Sequence, residues 1–183
     1  VGSGAIGVEF AYFYSTMGTK VTVVEFMPNI VPVEDEEVSK QLERSFRKAG
    51  IEVMVNSSVE KVDTSGSGCK VTVKSAKGES IIECEAVLSA VGIAANIENI
   101  GLEECGVITD KGKVLVNDYY QTNIPGVFAI GDIVKGQALA HVASAEGITC
   151  VEKIAGLHPE PIDYNNIPGC TYCSPEIASV GMT

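Results

Sequence analysis

The chain has 183 residues, 45% of them hydrophobic and 20% charged, and its formal net charge is −11, so it is large and apolar enough to fold as one domain or parts of two. Its acidic balance excludes the clustered Lys and Arg with which proteins bind nucleic acids. No uninterrupted apolar stretch approaches the roughly 20 residues of a membrane-spanning helix, and the apolar fraction excludes a disordered chain.

The first residues predict a piece of a longer protein. Val1 leads at once into a glycine-rich motif that usually follows a strand, and no initiator Met or targeting pattern precedes it. Ser179–Thr183 stop within what reads as another strand. We therefore expect an internal fragment in which the first strand is missing.

The first half of the chain alternates helix and strand, which predicts a parallel α/β sheet. Apolar residues spaced three and four apart predict a helix before Gly18, and the β-branched run Lys20–Phe26 predicts a buried strand. Asp35–Ala49 is predicted as a helix that begins with acidic residues, ends with basic ones and is capped by Gly50. We interpret the acidic run as a solvated helix start rather than a cation site. The periodic residues of the first helix are Ile6, Phe10, Phe13, Tyr14 and Met17.

Short strands follow, and the glycines between the middle ones predict an antiparallel meander inserted into the α/β scheme. The predicted strands are Ile51–Val55, Ser58–Val62, Cys69–Lys74, Ser80–Glu83 and Ala86–Val91. Later elements are the strands Val114–Val116, Val127–Ile130 and Ile177–Val180, and the helix Leu139–Ala155.

The hexapeptide from Gly2 to Gly7 fits G-x-G-x-x-G, the turn that carries a pyrophosphate at the N-terminus of a helix. Glu25 ends the next strand at about the spacing that dinucleotide-binding folds use for the carboxylate that binds the adenosine ribose. Phe26–Pro28 contains no Lys or Arg for a 2′-phosphate, which favours NAD over NADP. A purely structural Glu25 is the alternative. The candidate residues of this turn and helix start are Gly2, Ser3, Gly4, Ala5, Ile6, Gly7, Val8 and Glu9.

Glu9 has two interpretations. It lies near the start of the helix, where a carboxylate offsets the positive end of the helix dipole. It could instead hydrogen-bond the second ribose of the dinucleotide. The residues alone leave both open.

A second signature lies at Thr122–Asp132, where a Pro-Gly turn and a short apolar strand lead to Gly131 and Asp132. A carboxylate at the C-terminal end of a strand occupies the position where α/β sheets bind ligands. The segment Ala138–His141 then opens a helix whose free N–H groups suit an anionic or carbonyl partner.

Five segments together resemble the flavin-dependent disulfide reductases, and the similarity covers essentially the whole chain. The segments are Val1–Glu9, Val21–Glu25, Ala90–Gly92, Phe128–Asp132 and Leu139–His141. The resemblance implies an α/β protein with a Rossmann-like NAD-binding domain at 1–91, carrying the meander. It also implies the C-terminal part of an FAD-binding domain at 92–158 and the start of an α+β dimer-interface domain at 159–183.

The resemblance also implies site residues. Asp132 is expected to bind the ribityl chain of FAD, and Val59 and Gly92 to line the NAD cleft. The flavin is further expected to contact Ala138, Leu139, Ala140 and His141, with His141 structural rather than catalytic. The basic residue that usually follows Gly92 is replaced by Ile93–Ala95, so no contact by such a residue is inferred.

Within the family, Ala5 and the absence of basic residues in Phe26–Pro28 favour the NAD-linked branch that oxidises dihydrolipoyl groups. The resemblance implies FAD and NAD as cofactors, a homodimer, and lipoyl-bearing components of 2-oxoacid dehydrogenase or glycine-cleavage assemblies as partners. The compartment is expected to be the cytoplasm, with the mitochondrial matrix as the other possibility. The alternatives are another flavin disulfide reductase, an NADH oxidase, or an NAD-binding module without catalysis.

The family's redox disulfide and its catalytic His–Glu pair have no match in this sequence, so no catalytic or metal-binding residue is assigned. Cys170 and Cys173 form a C-x-x-C before a strand rather than at a helix start, and extended chain turns them to opposite faces, so we predict neither redox nor zinc chemistry there. The remaining cysteines, Cys69, Cys84, Cys105 and Cys150, are predicted to be small buried apolar residues.

Overall fold

A computed structural model describes residues 1–182, which form two compact units. Residues 1–93 and 168–181 make one unit, and residues 94–167 make the other. The helices are α1 (Ala5–Thr16), α2 (Glu36–Lys48) and α3 (Ala140–Ile154), and short 3-10 helices lie at Gly131–Ile133 and Tyr164–Asn166. The strands are β1 (Thr22–Val24), β2 (Glu52–Met54), β3 (Ser57–Asp63), β4 (Cys69–Ser75), β5 (Gly78–Cys84), β6 (Thr109–Asp110), β7 (Lys113–Val114), β8 (Gly169–Thr171) and β9 (Ile177–Ser179).

The first unit is built on a parallel pair of strands joined by a helical crossover. β1 and β2 pair in parallel, with Val23 opposite Val53, and α2 connects them. The side chain of Asp35 accepts a hydrogen bond from the N–H of Glu37 at 2.8 Å, and Gly50 follows the helix with φ +84°. The predicted helix α2 is therefore confirmed, and Asp35 of its acidic start caps the helix.

Val1 and Gly2 lie alongside β1. The N–H of Gly2 donates to the carbonyl of Val24 at 2.9 Å, and the N–H of Ala90 donates to the carbonyl of Val1 at 2.8 Å. The predicted strand Ala86–Val91 does not form a regular strand, because the hydrogen bonds of this segment go to Val1 rather than to a run of successive partners.

The predicted antiparallel meander is confirmed by the sheet β3-β4-β5. Its register shifts between Val59 and Lys61, which marks a bulge in β3. Val71 and Val73 of β4 are buried and pack with Val24 of the parallel pair.

The predicted helix α1 is present, but the large apolar residues that reveal it in the sequence are not the ones it buries. Its buried residues are Gly7, Val8 and Ala11. The exposed fractions of the periodic residues are 48% for Ile6, 43% for Phe10, 53% for Phe13, 41% for Tyr14 and 71% for Met17.

The segment 168–181 completes the core of the first unit. β8 and β9 pair antiparallel, with Cys170 opposite Ala178, and β9 confirms the predicted last strand. Cys173 and Ile177 are buried together with Val8 and Ala11 of α1.

The second unit has its own core, which contains Val107, Val114, Ala129 and Val134. The helix α3 is confirmed and is followed by Gly156 with φ +81°. The predicted strand Val127–Ile130 is wrong, because it makes a single bridge between Phe128 and Gln121 and no ladder. Within residues 1–182, no helix is long and apolar enough to cross a membrane.

Candidate cofactor-binding sites

The three glycines of the Gly2–Gly7 turn differ in what a side chain at each position would meet. Gly2 has φ +89°, and a Cβ there would lie 2.4 Å from the carbonyl oxygen of Ala90. A Cβ on Gly7 would lie 2.2 Å from the carbonyl oxygen of Gly2. A Cβ on Gly4 would meet no atom of residues 1–182 within 4 Å, its own neighbours aside. Packing within the protein thus explains Gly2 and Gly7, whereas Gly4 keeps a space open outside the turn.

The start of α1 can hold an anion in that space. The first hydrogen bond of the helix runs from the N–H of Val8 to the carbonyl of Gly4 at 3.1 Å. The N–H groups of Ala5, Ile6 and Gly7 come before it and therefore have no acceptor within the helix. No acidic residue lies in the first turn, and the described contacts include no side-chain cap. Because Ala5 and Ile6 are exposed, a phosphate can reach the positive end of the helix dipole.

Glu25 is buried and directly bonded to the glycine turn. Its Oε2 accepts hydrogen bonds from the N–H of Ser3 at 2.8 Å and from Ser3 Oγ at 2.7 Å. Its Oε1 accepts one from the N–H of Met27 at 2.7 Å. A carboxylate has about four acceptor positions, so one remains on Oε1 for a ligand hydroxyl. Glu25 therefore has a structural role in addition to the predicted ribose contact, which stays a prediction.

Glu9 makes a contact that neither interpretation of the sequence foresaw. Its Oε1 accepts a hydrogen bond from the N–H of Tyr172 at 2.7 Å, which ties α1 to the segment after β8. The two residues are 163 positions apart, and no local pattern signals their pairing. The proposed ribose contact of Glu9 stays a prediction.

Val59 and Gly92, the other predicted NAD residues, lie in the same unit. Val59 is half-buried beside the bulge of β3 and packs against the cluster of Val24 and Val73. Gly92 is exposed with φ +145°, and a Cβ there would meet none of the described atoms within 4 Å. Their contacts with NAD stay predictions.

In the second unit, Asp132 lies exposed on a turn whose main chain is held from both sides. Gly131 has φ +75°, and its N–H donates to Glu146 Oε2 at 2.6 Å. Lys113 Nζ donates to the carbonyl oxygen of Asp132. These bonds fix the backbone of the turn, so the exposed carboxylate of Asp132 can bind a ligand hydroxyl.

Glu146 is a residue that the sequence analysis missed. It is 1% exposed, and its Oε1 accepts a hydrogen bond from the hydroxyl of Tyr164 at 2.6 Å. The helix α3 packs closely beneath the turn, since a Cβ on Gly131 would lie 3.4 Å from the Cβ of Ala143. The sequence held one signal for it, since Glu146 is the single charged residue from Val142 to Val151.

Tyr164 and Tyr120 extend this buried network. Their hydroxyl oxygens are 3.1 Å apart. Burial, followed by the hydrogen bond to Glu146, raises the pKa of Tyr164, and burial is also the main cause that raises the pKa of Tyr120. Both hydroxyls therefore stay protonated at neutral pH and can act as donors.

The segment Ala138–His141 leads into α3, as predicted. Ala138 and Leu139 are half-buried, Ala140 and His141 are exposed, and the helix begins at Ala140. The first helical bond runs from the N–H of Ala143 to the carbonyl of Leu139 at 3.0 Å, so the preceding N–H groups are available to a ligand. The role of His141 and its neighbours toward the flavin stays a prediction.

The cysteines are only partly where the sequence predicted them. Cys150 is buried, Cys69 and Cys84 are half-buried, and Cys105 is exposed. The prediction for Cys105 is wrong because its loop runs over the surface of the second unit. Cys170 is exposed and Cys173 is buried, which agrees with their opposite orientations in the extended chain.

Comparison with known proteins places this geometry in a family. Residues 1–147 match the family described as pyridine nucleotide-disulphide oxidoreductase. The whole chain is 47% identical to dihydrolipoyl dehydrogenase of Rhizobium etli and 45% identical to a mitochondrial dihydrolipoyl dehydrogenase of Arabidopsis thaliana. It spans 38% and 36% of their lengths. The structure of LpdA from Mycobacterium tuberculosis superposes with a TM-score of 0.88 at 31% identity, covering 99% of this chain and 39% of LpdA.

The chain therefore belongs to the pyridine nucleotide-disulphide oxidoreductases, a family of enzymes. Its similarity to proteins named dihydrolipoyl dehydrogenase confirms the resemblance seen in the sequence. The mixed α/β fold class is confirmed. The predicted cofactors, NAD and FAD, are those that this family uses.

Proposed function

We propose that residues 1–91 form most of an NAD-binding domain. The pyrophosphate lies beside Gly4 at the start of α1, and the adenosine ribose binds the remaining acceptor position of Glu25. Glu9, Val59 and Gly92 line the rest of the cleft. The open space at Gly4 is the observation that carries this proposal, because the protein's own packing gives no reason for a glycine there.

Residues 92–158 are proposed to contribute to an FAD-binding domain. Asp132 binds the ribityl chain, and the N–H groups at the start of α3 face the flavin, with Ala138–His141 as the contact segment. Residues 159–183 are proposed to begin a dimer-interface domain, although 168–181 pack on the first unit in this structure.

The activity proposed for a protein of the relatives' full length is the oxidation of protein-bound dihydrolipoyl groups. When bound, FAD and NAD supply the route by which two electrons leave the substrate dithiol. The residues of this chain bind and orient these cofactors. The proposed partners are lipoyl-bearing components of 2-oxoacid dehydrogenase or glycine-cleavage assemblies, with a homodimer as the working form in the cytoplasm or mitochondrial matrix. High identity along the whole chain to dihydrolipoyl dehydrogenases supports this choice.

The NAD site is tested by substituting Gly4→Ala and titrating the protein with NADH. Gly4 has φ −64°, which alanine adopts without strain, and the added Cβ meets only the space assigned to the pyrophosphate. We expect at least a tenfold loss of affinity with only a small drop in melting temperature, because Gly4 is the N-cap of α1 and alanine is less favourable there. Gly66→Ala is the matched control, because Gly66, in the loop before β4, is equally uncrowded. Equal NADH affinity in both variants would refute the site.

The whole-protein activity needs a separate test. A protein of the relatives' full length that contains this chain should purify yellow with bound flavin and reduce NAD with dihydrolipoamide. Flavin with NADH oxidation by oxygen, and no dihydrolipoamide activity, would indicate an oxidase instead. A colourless protein that binds NADH would leave only the NAD-binding module.

A further inference from the structure

Cys69 and Cys84 lie opposite each other on the neighbouring strands β4 and β5 of the meander. Cys69 begins β4 and Cys84 ends β5, and the antiparallel register pairs them directly. Opposite residues in an antiparallel pair have Cα atoms about 4.5 to 5.5 Å apart, which lies within the range of about 4.4 to 6.8 Å that a disulfide spans. The backbones of the two strands are also close together at this end, since a Cβ on Gly68 would lie 2.9 Å from the carbonyl oxygen of Cys84.

Both cysteines are half-buried, so neither residue is enclosed in the core. Cys69 Sγ lies 3.9 Å from the carbonyl oxygen of Glu85, and Cys84 packs at the edge of the cluster around Val71 and Val73. The exposed cysteines have no cysteine opposite them: Cys170 has Ala178 as its cross-strand partner, and Cys105 lies outside the strands. The register thus gives Cys69 and Cys84 a geometry for bridging that it does not give to Cys170.

We propose that Cys69 and Cys84 are a redox-active dithiol, which low-molecular-weight disulfides such as oxidised glutathione convert to a cross-strand disulfide. Neither cysteine is among the residues assigned to the cofactor sites, and the family's own redox disulfide has no match in this sequence.

The reaction proceeds by two thiol–disulfide exchanges. The Cys69 thiolate attacks one sulfur of oxidised glutathione, so the glutathione S–S bond breaks and one glutathione thiol leaves. The Cys84 thiolate then attacks Cys69 Sγ, and the second glutathione thiol leaves. The protein loses two electrons and two protons, and both pass to the two molecules of glutathione. Burial, and then the facing Cys69 thiol, raise the pKa of Cys84, so less of it is thiolate at neutral pH. Cys84 is therefore assigned the second step, in which the sulfur it attacks is held opposite it by the strand register.

The bridge would fasten the open end of the β4–β5 hairpin, opposite its turn at residues 76–77. It would close a loop of about 15 residues in the unfolded chain, and loops of that size are known to stabilise proteins when cross-linked. We therefore expect the oxidised protein to melt about 5 to 10 °C higher than the reduced protein. Reduction by dithiothreitol should reverse the shift.

The test is peptide mass mapping after treatment of the reduced protein with oxidised glutathione. Trypsin leaves Cys84 and Cys105 together in the peptide 78–111, so a Cys105→Ser background is used. We expect the peptides 62–70 and 78–111 to be joined, with a mass two hydrogens below their sum. Cys170 in the same sample serves as the internal control and should carry a stable glutathione adduct.

Two variants separate the steps. In Cys84→Ser, the glutathione adduct on Cys69 should persist, because the resolving thiol is gone. In Cys69→Ser, oxidised glutathione should cause no rise in melting temperature. A persistent adduct on Cys69 with Cys84 intact would overturn the proposal. Unlinked free thiols at both positions, in a sample where Cys170 is modified, would also overturn it.

Discussion

Removing the Glu146 side chain should unfold the second unit more easily, because this buried carboxylate joins two parts of that unit. In Glu146→Ala, the N–H of Gly131 and the hydroxyl of Tyr164 both lose a charged acceptor at 2.6 Å. The substitution also removes the bond that holds the turn carrying Asp132.

The expected loss follows from these two hydrogen bonds. A hydrogen bond to a charged group contributes about 1.5 to 3 kcal/mol, so two contribute about 3 to 6 kcal/mol at most. Gly131 and Tyr164 are only half-buried, and water can replace part of each interaction. We therefore expect about 2 to 4 kcal/mol less free energy of unfolding, a large part of the ~5 to 15 kcal/mol typical of whole domains.

Urea unfolding followed by circular dichroism measures this loss. Hydrogen exchange of the Gly131 amide measures the local bond. Glu152→Ala is the matched control, because Glu152 is a half-buried glutamate of the same helix. The double variant Glu146→Ala, Tyr164→Phe should lose less than the sum of the single losses, because the two changes remove one shared bond. A Glu146→Ala variant within about 0.5 kcal/mol of the parent, with unchanged exchange at Gly131, would show that the two bonds do not stabilise this unit.

Two further predictions concern local structure and pH. Asp35→Ala removes the cap of α2 and should lower the free energy of unfolding by about 1 kcal/mol in urea denaturation, and an unchanged value would show that the cap is unimportant. The pKa of Tyr164 is raised above its ordinary value of 10.0 by burial and by its hydrogen bond to Glu146. Its contribution to stability is therefore complete below pH 10 and declines above it, as the unfolded chain ionises first. Unfolding measured from pH 8 to 11 should show a shallower alkaline loss in Tyr164→Phe than in the parent; parallel curves would contradict this.

The elements that the sequence predicted well carry their signals locally. The order of charges, the cap at Asp35 and the glycine at Gly50 all lie within or beside α2. The antiparallel meander could be predicted equally well, because glycines separate its strands in the sequence. Two strand predictions were wrong, those for Ala86–Val91 and Val127–Ile130. A strand in either segment would need partners from distant parts of the chain, and neither segment obtains a run of successive partners.

The same distinction applies to the sites. The glycine turn and Glu25 were predicted because their spacing follows from one strand, one helix and the next strand. The structure adds that Glu25 binds Ser3 directly, which spacing alone does not show. Glu146 and the Glu9–Tyr172 contact were missed because the partners are brought together only by tertiary folding.

The proposed NAD site of the first unit consists of the open turn at Gly4 and the carboxylate of Glu25. The most direct measurement is a calorimetric titration of this chain with NADH and with NADPH under identical conditions. NADH should bind at least ten times more tightly than NADPH, because the buried carboxylate of Glu25 repels a 2′-phosphate. Equal or tighter binding of NADPH, or no binding of NADH by the folded chain, would contradict the proposed site.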